Sequence, residues 1–146
     1  MAAFGKNYNI YLLVNSVNMS SRVKSATLNA GKEVLDLTCM GCLGKLRGVG
    51  IEDHSINVTF EEDLSSAASA GVDVPVNKTL RDAYTAGVAF DIHFALNGST
   101  AAQTNPVFGC NYILDKLPLG GQHGPLLTTT VTFISSSAAA MTMAVT

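Results

Sequence analysis

Charge is what this sequence has least of: Asp, Glu, Lys and Arg make up 14% of its 146 residues, against roughly 25% in an average soluble protein. With 47% of residues hydrophobic, a small monomer of this make-up is poorly defended against association. The deficit reads as surface meant to be covered by other copies, the alternative being a neutral, Ser/Thr-rich surface on a soluble monomer. A net charge of −2 excludes a global basic field that would hold nucleic acid by its phosphates. No apolar run approaches the roughly 18 residues of a membrane-spanning helix, so no membrane partner is expected. The start, Met1-Ala2-Ala3-Phe4-Gly5-Lys6-Asn7, lacks the basic-then-apolar order of a signal peptide, and the expectation is a protein made and kept in a cytoplasm. Without export, the Asn-x-Ser/Thr triplets at Asn18, Asn57, Asn77 and Asn97 are chance matches. Cysteines number three, and a chain of this length buries about two-thirds of its unfolded surface, enough for one domain over 1–146 without disulfide staples.

What charge there is, is polarised. Residues 1–50 carry Lys6, Arg22, Lys24, Lys32, Lys45 and Arg47 against Glu33 and Asp36, a balance of +4, whereas residues 51–146 carry three cations and nine anions, a balance of −6. In a self-assembling subunit, a basic surface of one copy can meet an acidic surface of the next; scattered solvated charge is the alternative.

Period-two alternation with β-branched residues marks strands with one buried and one wet face. The clearest case is 53–60, with His54, Ile56, Val58 and Phe60 on one face and Asp53, Ser55, Asn57 and Thr59 on the other. A loop from Cys39 to Gly50, with glycines at 41, 44, 48 and 50, feeds it. Further strands are expected at 8–14, returning as a hairpin through Asn15-Ser16 to Val17-Asn18-Met19, and at 23–29, 33–38, 88–96, 107–117 and 126–134. In the 88–96 strand Val88, Phe90, Ile92, Phe94 and Leu96 face inward and Asp91 and His93 outward, and Asn97-Gly98 turns the chain. Residues 65–71 form a small-residue connection. One helix is expected at about 77–86, capped by Asn77, presenting Leu80, Ala83 and Tyr84 on one face and closed by Gly87. The N-terminus (1–7) is expected to be mobile, and the tail at 135–146 either dangles or adds a strand at 141–145. About eight strands and one flanking helix make the fold mainly β, a two-sheet sandwich or barrel.

Constellations that would carry chemistry are weak. Cys39-Met40-Gly41-Cys42 has thioredoxin-type spacing, but that site needs a helix after a strand and none is patterned here, so loop cysteines are the better reading. Cys39, Cys42 and Cys110 with one of His54, His93 or His123 would make a zinc set in principle, although only one pair has the usual close spacing. Gly44-Lys45 is not a phosphate loop, because Cys39 stands where a glycine is required and Leu46 follows the lysine. Glu61-Glu62-Asp63 are consecutive at a strand end and point apart, which does not suit paired-carboxylate hydrolysis. Without a Gly-x-Ser-x-Gly elbow, Ser/His/Asp catalysis has no support. No catalytic, cofactor or metal residue is assigned, and the chain is expected not to be an enzyme.

The order of Val14-Asn15-Ser16-Val17-Asn18-Met19-Ser20, then 23–29, then Thr38-Cys39-Met40-Gly41, then 48–60 ending in Glu61-Glu62-Asp63, resembles the tail tube (major tail) proteins of long, non-contractile-tailed bacteriophages. Their polar hairpin precedes a loop with a Met-Gly pair and basic residues, matched here by Met40-Gly41, Lys45 and Arg47. Ser55, Ile56, Val58, Phe60 and Asp63 fit the strand that leads to their short helix. Thr104-Asn105-Pro106 and the segment from Thr128 to Phe133 fit later. The resemblance covers most of 14–133; Cys39, Cys42, the stretched 65–76 connection and the absence of Trp depart from it.

The resemblance implies a β-sandwich virion subunit, assembled in a bacterial cytoplasm, that forms hexameric rings stacked head to tail. Genome DNA passes through the lumen without sequence-specific binding. Its expected partners are further copies of itself and other tail proteins: tape measure, terminator and tail tip. Asp53, Ser55, Asn57, Thr59 and Asp91 are candidate lumen or intersubunit positions. Met40, Gly41, Lys45 and Arg47 are the candidate ring-stacking loop. Alternatives are a terminator or head-tail connector that stops at one ring, and a monomeric ligand-binding sandwich module.

Overall fold

The alternating segment at 53–60 behaves as its pattern dictates, with His54, Ile56, Val58 and Phe60 all buried and Asp53 and Asn57 exposed. A computed structural model of the chain describes residues 10–62, 75–98, 100–103, 105–119, 127–137 and 141–145. The expected mobile N-terminus, the 65–71 connection and the glycine-rich link before residue 127 lie outside the described residues.

Ten strands and one α-helix are described. β1 (Tyr11–Val14) and β2 (Val17–Asn18) form the expected hairpin. Its turn residues Asn15 and Ser16 both adopt positive φ, 47° and 68°, which matches the right-handed strand twist. β3 (Val23–Asn29) follows a 3-10 turn at Ser20–Arg22. β4 (Lys32–Asp36) and β5 (Arg47–Glu52) pair only with each other. β6 (Ser55–Glu61), β7 (Phe90–Ala95), β8 (Val107–Ile113), β9 (Thr128–Ser135) and β10 (Thr142–Ala144) complete the set.

The main sheet runs β2-β1-β7-β8-β9-β6-β3, all antiparallel, with β10 on β8. β6 and β9 pair along their whole length, from Ser55↔Ile134 to Glu61↔Thr128. β8 and β9 meet only at Tyr112↔Ser135 and Ile113↔Ile134, because the other half of β8 is taken by β10 through Gly109, Phe108 and Val107. That narrow join lets the sheet turn over on itself. Inner faces of both halves then share one core: Leu12, Val14, Phe90, Ile92, Phe94 and Tyr112 from one, Ile56, Val58, Phe60, Val131 and Phe133 from the other. Phe90 meets Phe133 edge to face across the core, 5.8 Å between centroids. Each such buried side chain contributes about 1.5–3 kcal/mol relative to exposure. The result is sandwich-like, and among the described residues the sheet does not close into a barrel.

The helix α1 (Val76–Ala86) buries Val76, Thr79, Leu80 and Ala83, an i, i+3, i+4, i+7 stripe laid on the core. Two expectations change here and one holds. Pro75, not Asn77, precedes the first turn and no side chain caps it; Thr79 N–H bonds the Pro75 carbonyl at 2.9 Å. Proline's fixed φ starts the helix before Asn77 can stand outside it. Tyr84 is exposed, one position past the stripe. Gly87, at φ 65°, does close the helix by an N–H to the Ala83 carbonyl, as its tolerance of the left-handed region allows.

Other boundaries shift as well. Val88 and Leu96 are exposed because β7 spans only Phe90–Ala95. Residues 47–50, expected as the end of the loop, belong to strand β5 (Arg47–Glu52). The tail does add a strand, β10.

Candidate intersubunit surfaces

β4 and β5 form an arm that takes no part in the core. Register pairs Val34 with Val49, Leu35 with Gly48 and Asp36 with Arg47, so opposite residues share a side. One side of the arm therefore carries Val34, Val49 and Ile51, and the other Leu35 and Leu37 beside Gly48 and Gly50. All five of these large apolar side chains are exposed. A Cβ at Gly48 would lie 2.7 Å from Leu37 Cδ1, so Leu37, an exposed side chain, would have to shift its tip to make room. Among the described residues nothing covers either apolar side of the arm, which makes it a candidate interaction surface.

Its tip is closed tightly. The Leu37 N–H donates to the Leu46 carbonyl at 2.8 Å, and the Leu46 N–H donates to Thr38 Oγ1 at 3.0 Å. Asp36 Oδ1 accepts the Thr38 N–H at 3.0 Å. Thr38's side-chain and backbone hydrogen bonds hold the Asp36 carboxyl below the usual carboxylate range. Beyond them Cys39 and Cys42 are joined in a disulfide, and Gly41 takes φ 95° to make the turn. Met40 and Leu43 flank it, wholly exposed. Of the candidate stacking residues, Met40, Gly41 and Lys45 sit in this tip and Arg47 begins β5.

At the arm's root the chain is tied down. Glu52 accepts the Met141 N–H at 3.0 Å, with Lys32 Nζ at 3.7 Å from its other oxygen and His54 Nε2 at 3.8 Å. These groups, with Ala30 and Gly31, line a cavity of about 260 Å³. The His54 backbone exchanges bonds with Ser135, its N–H going to Ser135 Oγ and its carbonyl accepting the Ser135 N–H.

A second surface is the outer face of β3, β6 and β9. Register stacks it in rungs, Ser25–Thr59–Thr130, Thr27–Asn57–Thr132 and Asn29–Ser55–Ile134. Thr59 and Thr130 hydroxyls lie 3.0 Å apart, and Thr132 Oγ1 donates to Asn57 Oδ1 at 2.7 Å. The three rungs hold no charged residue, but charge borders them: exposed Lys24 stands in the β3 bulge beside Ser25, and Glu61 lies opposite Thr128. Ser55, Asn57 and Thr59 thus fall together, Asp53 lies just before them, and Asp91 stands apart on β7, opposite Asn111. The β3 and β9 members were missed from sequence. Alternation of Thr128, Thr130 and Thr132 was visible, but not the register that sets them beside β6.

The zinc set does not form. Cys39 and Cys42 are bonded to each other, Cys110 lies half-buried on β8, and among the described residues no three His, Cys, Asp or Glu side chains gather. Among the described residues no helix is long and apolar enough to cross a membrane.

No protein-family model matches the chain, and no curated protein matches it. Solved structures do. A chain from the virion of a native gene transfer agent (GTA) particle superposes with a TM-score of 0.67 at 13% identity, covering 97% of this chain and 98% of that one. A chain from the tail of an empty GTA particle, computed with helical refinement and C6 symmetry, superposes with a TM-score of 0.64 at 13% identity, over 99% of each. At such identity the likeness is one of fold, and it extends from end to end.

Proposed function

We propose that this chain is a non-enzymatic structural subunit of a virion tail tube, whose copies form sixfold rings that stack into a conduit for DNA. The observation that carries the reading is the end-to-end likeness of fold to a chain of a C6-symmetric tail, joined to an arm whose apolar side chains are exposed among the described residues. Burying that arm against another copy removes the exposed apolar area and the two unpaired edges of the hairpin together. Met40, Gly41, Lys45 and Arg47 are the stacking end. Its two cations suit the acidic balance of the later part of the chain.

The hydroxyl and amide face of β6, with Asp53, Ser55, Asn57 and Thr59, is assigned to the lumen. Passage of DNA needs a wall that does not neutralise phosphates; the rungs themselves offer no Lys or Arg, and Lys24 in the β3 bulge is a single cation at their border. Asp91, on the other half, is assigned to a contact between copies. Further partners are the other tail proteins, and the site of action is the virion after assembly in a host cytoplasm.

Native mass spectrometry of the purified protein tests the assembly. A species of six times the 15.3 kDa chain, and multiples of it, is expected. A monomer at every concentration overturns the reading.

A further inference from the structure

The disulfide at the arm tip has no role in the fold described so far. It lies outside the core, it bridges residues only three apart, and it is the one disulfide among the described residues. Cys42 N–H donates to the Cys39 carbonyl at 3.1 Å and Cys39 N–H to Cys42 Sγ at 3.3 Å. The four-residue ring so closed holds Met40 at its crest and Leu43 at its exit, both wholly exposed.

We infer that Cys39 and Cys42 form a thiol–disulfide lock on the docking arm, which sets how tightly one copy holds the next. The inference rests on the reading of the arm as the stacking element. Reduced, the glycine-flanked tip must be ordered when it docks; oxidised, it is ordered beforehand, and Met40 and Leu43 are presented as a fixed knob. Closing a ring this small strengthens docking about tenfold. A reducing cytoplasm keeps the pair as a dithiol during assembly, and an oxidising exterior converts it after release. The oxidant is a small-molecule disulfide of the glutathione type. One cysteine thiolate attacks it, expelling one thiolate and forming a mixed disulfide. The second cysteine thiolate then displaces the other thiol, so two protein thiols become one disulfide and one small disulfide becomes two thiols.

The test measures the critical concentration for assembly by sedimentation, in glutathione disulfide and in a phosphine reductant. Alkylation under denaturing conditions counts one free thiol of the three cysteines in the oxidised protein and all of them in the reduced one. The oxidised protein should assemble at about tenfold lower concentration. The double variant Cys39→Ser/Cys42→Ser should match the reduced protein in both media. Equal critical concentrations in the two states, or a redox response surviving in the double variant, overturns the lock. Leu43→Asp separates the readings: if it blocks assembly while redox state has no effect, only the lock falls. If Leu43→Asp assembles normally, or the native chain assembles in neither medium, the arm reading falls and the lock with it.

Discussion

The side-chain amide of Asn105 holds the loop that precedes β8. Its Oδ1 accepts the Asn97 N–H at 2.9 Å, and its Nδ2 donates to the carbonyls of Asn97, Gly98 and Thr100. Gly98 sits at φ 80° between them. Truncation to Ala removes four hydrogen bonds that hold a part-exposed loop, so Asn105→Ala should lower stability by about 1–3 kcal/mol in urea unfolding. Tyr112 makes a second prediction. Burial, with a smaller contribution from Cys110, pushes its hydroxyl up to about 12. The folded state therefore keeps this proton more firmly than the unfolded chain, whose tyrosine titrates near 10. Its stabilisation is complete below pH 10 and is lost as pH rises toward 12, about 2–3 kcal/mol at most. Tyr112→Phe should flatten that part of the stability–pH curve. Asn105 drew notice in the sequence only beside its proline, since which carbonyls its amide would reach depends on a loop closure that no spacing reveals.

At the scale of elements, β6 and β7 were legible because one face of each is buried, so Ile56-x-Val58-x-Phe60 and Phe90-x-Ile92-x-Phe94 had to alternate. β5 was not. Arg47-Gly48-Val49-Gly50-Ile51-Glu52 carries two glycines that depress strand propensity, and neither side of the arm meets a core that would impose alternation. The feature that hid the strand is the feature that marks it for contact with another molecule. Leu43→Asp or Ile51→Asp should accordingly leave the melting temperature within a degree or two, as surface changes do, while abolishing higher assemblies in sedimentation velocity. A melting temperature that falls with assembly intact would instead place the arm inside the fold.

For the whole molecule, composition raised the expectation of association before any element was placed: few charges, and those polarised along the chain. The sandwich-like architecture followed from strand count, but the turn of the sheet at the short β8–β9 join did not, because it depends on β10 competing for the edge of β8. On the proposed reading, the Ser, Thr and Asn rungs of β3, β6 and β9 form the lumen wall, with Lys24 at its border. Asn57→Lys with Thr132→Lys should leave rings intact yet make the assembled protein retain double-stranded DNA at low salt and release it as salt rises. Unchanged DNA retention by intact tubes would move the lumen to another face.

The central claim is that these copies form sixfold rings and that the rings stack through the arm. Electron microscopy of the purified chain at high concentration tests it most directly. Sixfold rings and stacked tubes, with the β4–β5 arm against an adjacent ring, are the predicted result; isolated particles of a single chain, with the arm standing free, would contradict it.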